Sequence, residues 1–166
     1  MIYEPREDSF IFKRYLEGLR LEGKKCLDIG TGSGILAQTM KNEGAEVNAA
    51  DINPEASDQL PKGIKFVESD LFENIEEKYD LIVFNPPYLP GEEEIKGSET
   101  WKGGKKGLEV TERFLEQAPD YLLEGGKVLT MVSSLADHKE LINKHDLDII
   151  QTEKLPFEEL YLVLKE

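Results

Sequence analysis

Asn85-Pro86-Pro87-Tyr88 follows directly on the apolar run Tyr79-Asp80-Leu81-Ile82-Val83-Phe84, and its residue types suit the holding of a planar group that carries an NH2. Proline cannot continue a sheet ladder and pushes the residue before it toward extended geometry, so the chain must leave the strand at Asn85 on a stiffened backbone. The Asn85 carboxamide and the Pro86 carbonyl then become fixed acceptors at the rim of a sheet, beside the Tyr88 ring. The same residues also suit a rigid strand exit followed by an exposed tyrosine, so the remaining residues must decide between the two.

A second constellation lies upstream. Asp28-Ile29-Gly30-Thr31-Gly32-Ser33-Gly34 joins an apolar strand pattern to a helical one, which puts glycines in a tight turn where a ligand must approach backbone. The spacing is Gly-x-Gly-x-Gly, whereas a dinucleotide turn reads Gly-x-Gly-x-x-Gly. Asp28 would also share a low-dielectric turn badly with a pyrophosphate, and sits well beside an ammonium group. Asp51, at the end of the next strand pattern, can accept two ribose hydroxyls. Asp70, in Glu68-Ser69-Asp70-Leu71, can accept an adenine NH2. Jointly these carboxylates point to a bound cationic nucleoside along the carboxyl edge of a sheet.

The elements that must position these groups alternate along the chain, the pattern of a parallel sheet with helices on both faces. Helical spacing predicts a leading helix over 9–19 with Phe10, Ile11, Tyr15 and Leu19 as its buried stripe. Further helices are expected at 35–42, 108–123 with a kink at Pro119, and 135–144, with a helical turn at 54–60. Strands are expected at 25–29, 46–51, 64–68, 80–85, 127–132, 148–155 and 160–165. The short connection through Pro156 makes the last two an antiparallel pair.

The chain has 166 residues and a formal charge of -14, the size of one domain and the charge of one that repels phosphate backbones. Lys102-Gly103-Gly104-Lys105-Lys106 is a local exception, either a positive rim to the site or a solvated loop. It lies in the loop 91–107, longer than ordinary connections and therefore a candidate functional segment. Cys26, the single cysteine, reads as core packing, and His138 and His145 read as surface residues of one helix, so no metal site is expected. The start of the chain is acidic where a signal peptide is basic, and no apolar run approaches the ~20 residues of a membrane span, which predicts a cytoplasmic protein.

Residues 28–34, Asp51, Asp70 and 85–88, in this order, resemble the class I S-adenosylmethionine-dependent methyltransferases, in the form that methylates glutamine amides, adenine N6 and guanine N2. Tyr3-Glu4-Pro5-Arg6-Glu7-Asp8-Ser9-Phe10 and Trp101-Lys102-Gly103-Gly104-Lys105-Lys106-Gly107-Leu108-Glu109-Val110 are similar to segments of the eukaryotic and archaeal branch of the HemK/PrmC family of release-factor glutamine methyltransferases. The chain is abbreviated between Asp51 and Ile64, and it is expected to lack the helical domain of bacterial members, as that branch does.

The resemblance implies one methyltransferase domain over 1–166, with 1–20 a cofactor-covering segment and helix. Its expected fold is a seven-stranded, mostly parallel Rossmann-like α/β sheet with an antiparallel C-terminal strand. It implies N5-methylation of the glutamine in the Gly-Gly-Gln loop of a class I release factor, with S-adenosylmethionine as cofactor. Asn85 and the Pro86 carbonyl would bind the substrate amide. Tyr88 would wall it or merely pack, and Pro87, Trp101, Gly103 and Gly104 would line the entrance. Ser9 would reach the cofactor carboxylate; Asp28, Gly30, Gly32 and Gly34 would hold its methionine portion, and Asn85 would also contact the cofactor. Asp51 with Ile52 would take the ribose, and Asp70 with Leu71 the adenine. A small zinc-binding activator protein would cover an apolar edge, for which a strand near 47–50 is the candidate. The rival readings are methylation of adenine or guanine in DNA or RNA, a nucleotide-dependent oxidoreductase, and a binding module without catalysis. The acidity, the glycine turn and the intact 85–88 segment respectively weigh against them.

Overall fold

The computed structural model describes residue 2 and residues 4–86 and 105–166 of the chain. Strands β1 (Lys25–Ile29), β2 (Glu46–Asp51), β3 (Lys65–Glu68), β4 (Tyr79–Phe84), β5 (Leu122–Ser133), β6 (Asp148–Lys154) and β7 (Glu159–Lys165) form one seven-stranded sheet. Their order is β3-β2-β1-β4-β5-β7-β6. β1 to β5 pair in parallel, and β7 lies antiparallel between β5 and β6. The α/β sheet expected from the sequence is therefore present, including its antiparallel C-terminal edge.

The central strands read as unbroken apolar runs because each feeds two cores. Successive side chains point to opposite faces, and both faces are covered. Cys26, Leu81 and Val83 face helices α1 (Glu7–Glu17) and α2 (Ile35–Asn42), where Ile11, Phe12, Leu16, Leu36 and Met40 complete the core. Leu27, Ile29, Ile82 and Phe84 face α3 (Lys105–Gln117) and α4 (His138–His145), against Phe72, Phe114, Leu115 and Leu141. Each such side chain contributes roughly 1.5–3 kcal/mol on burial, which makes these two layers the main source of stability. Burial pushes the Cys26 thiol up to about 12, and it stays an inert part of the first core.

Several boundaries differ from the sequence reading for identifiable reasons. α1 begins at Glu7, and its buried residues are Asp8, Ser9, Ile11, Phe12 and Leu16, whereas Phe10 is 48% exposed. Only Ile11 of the expected stripe is fully inside; Tyr15 and Leu19 pack at its margin. The helix expected over 108–123 stops at Gln117. Pro119 opens a 3-10 turn, Ala118–Tyr121, and β5 starts at once. Gly125 and Gly126 lie inside that strand, and a Cβ on Gly126 would stand 2.9 Å from the Tyr79 carbonyl oxygen. Between β2 and β3 there is only the 3-10 turn Pro54–Gln59, which agrees with the abbreviation seen in the sequence.

Two further expectations are corrected. Residues 47–50 are buried inside the sheet, because β2 pairs with β1 on one side and β3 on the other; the edge on that side is β3. His145 is buried, not on the surface, and its ring lies 3.9 Å from Glu112, while His138 stacks on Tyr161. No group of side chains suited to a metal ion occurs among the described residues. Nor is any described helix long and apolar enough to cross a membrane.

Candidate active site

The strand order reverses between β1 and β4, so the crevice for a ligand lies at their carboxyl ends. Register places the candidate residues there in one row. Phe84 pairs with Ile29, Ile29 with Ala50, and Ala50 with Val67. The next residues outward are Asn85, Gly30, Asp51 and Glu68, with Asp70 just beyond. Residues far apart in sequence, Asp28 to Gly34, Asp51, Asp70 and Asn85, are thereby gathered on one edge.

Asp28 is 1% exposed. Its Oδ2 accepts from the Thr31 hydroxyl at 2.7 Å and from the Ala37 N–H at 3.1 Å. The second bond has a structural purpose: the N-cap of α2 is Gly34, which has no side chain to satisfy the first-turn N–H groups. Asp28 supplies that cap from the neighbouring strand. Burial raises its carboxyl from an ordinary 3.8 to about 7, with the Asp51 charge adding to the rise and the two hydrogen bonds opposing it.

Asp51 braces the same turn from β2. Its Oδ2 accepts from the Gly32 N–H and its Oδ1 from the Asn53 N–H, each at 2.9 Å. Ile52 beside it is 70% exposed, an apolar side chain at the rim. Asp70 meets Arg113 of α3 at 3.4 Å, so the carboxylate expected for an adenine amine already has a cationic neighbour. Leu71 has φ 49, a left-handed conformation unusual for leucine, and the Ser69 hydroxyl donates to its carbonyl at 2.9 Å.

Asn85 sits at the β4 exit, where the Thr130 hydroxyl donates to the Phe84 carbonyl at 2.7 Å and pins the last strand residue. The Asn85 Nδ2 donates to the Asp8 carboxylate at 2.7 Å and lies 3.4 Å from the Ser9 hydroxyl. Its Oδ1 is buried and without a partner among the described residues. An unsatisfied buried acceptor costs about 1–3 kcal/mol, and such groups gather where a ligand completes them. Pro86 is buried next to it.

Pro87, Tyr88, Trp101, Gly103 and Gly104 lie outside the described residues, as do the side chains of the lysine cluster at 102–106. The structure brings Ser9, Asp28, Gly30, Gly32, Gly34, Asp51 and Asn85 together, and sets Asp70 and Leu71 at one end of the row. Asp8, Thr31, Arg113 and Thr130 were not singled out by sequence reasoning. Asp8 left a signal as part of the Tyr3 to Phe10 segment and Thr31 as part of the Asp28 to Gly34 turn; Arg113 and Thr130 are partners defined by tertiary contact.

The donor set fits a cationic nucleoside such as S-adenosylmethionine. Asp28 is a buried carboxylate whose charged form is favoured only by a hydroxyl and an N–H, and an ammonium group would complete it. A Cβ on Gly32 would find nothing nearer than 3.9 Å, so the turn leaves space where a ligand approaches.

Residues 12–155 match the methyltransferase small domain family. The chain is 39% identical, over 98% of its length and 90% of the relative's, to a Methanocaldococcus jannaschii protein named as a protein N5-glutamine methyltransferase. It is 35% identical to human Methyltransferase HEMK2 over 75% of this chain and 68% of that one. Among solved structures it is similar to the E. cuniculi Mtq2–Trm112 complex, described as responsible for methylation of the translation termination factor eRF1. The TM-score is 0.78 and the identity 28%, over 99% of this chain and 98% of that one. Glycine turn, strand-end carboxylates and the Asn85 exit thus occur in a chain that belongs to the methyltransferase small domain family, as a HemK/PrmC-type class I methyltransferase whose cofactor is S-adenosylmethionine.

Proposed function

We propose that the chain methylates the side-chain nitrogen of a glutamine in a class I translation release factor, the N5-methylation expected of its Gly-Gly-Gln loop. One observation carries the reading: the Asn85 Oδ1 is a buried acceptor still lacking a donor among the described residues. A carboxamide NH2 supplies such donors. The names of the M. jannaschii relative and of the E. cuniculi complex support the same substrate class.

An amide nitrogen is a poor nucleophile because its lone pair is delocalised into the carbonyl. Asn85 Oδ1 and the Pro86 carbonyl, accepting both N–H bonds, would favour positive charge on that nitrogen and hold it in line for attack. When bound, S-adenosylmethionine supplies an electrophilic sulfonium methyl group. The substrate nitrogen would gain that methyl as the sulfur–methyl bond breaks with its electron pair going to sulfur, leaving a neutral thioether, and one N–H proton would leave to water. In this reading Ser9, Asp28, Gly30, Gly32 and Gly34 hold the methionine portion. Asp51 and Ile52 hold the ribose, Asp70 and Leu71 the adenine. Pro87, Tyr88, Trp101, Gly103 and Gly104, outside the described residues, would line the substrate entrance as the resemblance implies. A small zinc-binding activator as heterodimer partner, and work in the cytoplasm, belong to the same proposal; the Mtq2–Trm112 complex supports the partner.

The test is incubation with methyl-labelled S-adenosylmethionine and either release factor or RNA and DNA, with and without the activator, followed by peptide mass spectrometry. Methyl on the Gly-Gly-Gln glutamine is the expected result. Label confined to nucleic acid overturns the substrate, and absence of cofactor binding overturns the whole reading.

A further inference from the structure

We propose that Asp8 is a positioning residue that sets the Asn85 carboxamide the right way round for its substrate. A carboxamide can enter a site in two nearly isosteric orientations, and only its hydrogen-bond partners distinguish them. The Asp8 carboxylate oxygen accepts from the Asn85 NH2 at 2.7 Å, which fixes the amino end of the carboxamide toward α1. The Ser9 hydroxyl, 3.4 Å away on the same turn of α1, can accept or donate and so leaves the choice of orientation to Asp8. The carbonyl end is then the one left buried and open. Reversed, Oδ1 would face a carboxylate and Nδ2 would confront the donors of an incoming NH2, unfavourable at both ends.

The contact is built in. Asp8 is 5% exposed and sits in the first turn of α1, where the helix N-terminus favours its negative charge. α1 is anchored by Ile11, Phe12 and Leu16 in the core that also receives Val83 of β4. The N-terminal helix and the β4 exit therefore form one rigid unit across a separation of 77 residues. Orientation is accompanied by polarisation: a carboxylate accepting from Nδ2–H draws electron density toward Oδ1, strengthening it as an acceptor for the attacking nitrogen's N–H.

This inference rests on Asn85 as acceptor of the substrate amide, and its test separates the two. Full-length Asp8→Asn, with activator, is isosteric and folds as the wild type does, but its own carboxamide can meet Asn85 in either orientation. A kcat about 10- to 100-fold lower is expected, the scale of a misplaced reacting group. S-adenosylmethionine affinity by calorimetry should stay within about twofold of wild type, since Asp8 orients Asn85 and not the cofactor. Asp8→Glu, still acceptor-only, should recover part of the loss. In an Asn85→Ala background the effect of Asp8→Asn on kcat should shrink well below its effect in the wild type, as expected of a residue whose effect on turnover runs through Asn85. Side-chain amide NMR reads the same contact without turnover: the Asn85 NH2 resonance should lie downfield in the wild type and move upfield in Asp8→Asn. Wild-type kcat in Asp8→Asn, an equal loss of cofactor affinity, an additive double variant, or an unmoved Asn85 resonance would each overturn the role of Asp8. Loss of release-factor methylation in the wild type itself would instead sink the substrate reading.

Discussion

The Asp51 carboxylate at the end of β2 accepts a hydrogen bond from the Gly32 N–H at 2.9 Å, tying the turn after β1 to the neighbouring strand. The other Asp51 oxygen accepts from Asn53, so one side chain braces two loops of the crevice. Asp51→Asn removes this symmetry: one end of the new carboxamide becomes a donor facing an N–H donor. We expect the melting temperature to fall by several degrees, since leaving one such group unsatisfied costs about 1–3 kcal/mol. Cofactor affinity should fall at least tenfold if the carboxylate also takes ribose hydroxyls. Calorimetry at one pH checks both; an unchanged affinity with a lowered melting temperature would reduce Asp51 to a brace.

Asp28 predicts a pH dependence of unusual sign. Its carboxyl is raised from 3.8 to about 7 in the folded state, so between those values the native protein holds a proton that the unfolded chain has released. Stability from this group is therefore present at low pH and lost as pH rises toward 7. Asp28→Asn keeps an oxygen for Thr31 and Ala37 but never acquires the buried charge. Its melting temperature should exceed that of wild type at pH 8, with the gap narrowing as pH falls below 7 and closing near pH 4. Cofactor binding should move the other way: wild-type affinity for S-adenosylmethionine rises from pH 6 to 7.5 as the carboxylate forms to meet the ammonium group, while that of Asp28→Asn is weaker and flat. A flat wild-type profile would remove Asp28 from the cofactor site.

Two glycines of the turn should separate folding from binding. Gly32 has φ 51 but open space where a Cβ would stand, whereas a Cβ on Gly34, φ 78, would come within 2.9 Å of Leu60 and 3.4 Å of the Gln59 carbonyl. Gly32→Ala should cost only the ~1–2 kcal/mol of a left-handed alanine, yet reduce S-adenosylmethionine affinity at least tenfold by filling the approach. Gly34→Ala should cost more stability, because steric overlap adds to the same backbone strain. Thermal melts beside calorimetry test the order; equal affinity in Gly32→Ala and wild type would show that the ligand does not approach there.

The residues behind these predictions were legible in the sequence to different depths. β1, α2 and β2 were readable residue for residue, because their apolar runs are bounded by the glycine turn and by charged ends. α3 was overrun because amphipathic spacing continues past Gln117, and only pairing of Leu122 with Tyr79 converts the segment to strand. The sequence marks Asp51 as a candidate ligand at a strand end but not as the brace of Gly32, since a hydrogen bond across 19 residues has no local signature. The same holds for Asp8 and Asn85. Sequence spacing exposes residue types at strand ends; which of their atoms remain free depends on neighbours that only the fold assembles.

Phe114 links the core to the site and gives the last prediction. It is fully buried, with its ring centroid 4.7 Å from that of Phe84 and 5.6 Å from that of Phe72. Phe84 is the residue before Asn85, and its ring lies 3.2 Å from where a Cβ on Gly30 would stand, so it supports both halves of the crevice. Phe114→Ala removes the packing behind that ring and should cost about 3–5 kcal/mol, lowering the melting temperature by roughly 6–20 °C. The cavity lets the Phe84 ring relax away from the glycine turn and takes the Asn85 backbone with it. Measured well below its melting temperature, the variant should therefore lose kcat as well as stability, while Phe114→Leu, which refills most of the space, loses less of both. Unchanged kcat per folded enzyme in Phe114→Ala would mean that the Thr130 bond to the Phe84 carbonyl holds the strand exit without help from the aromatic cluster.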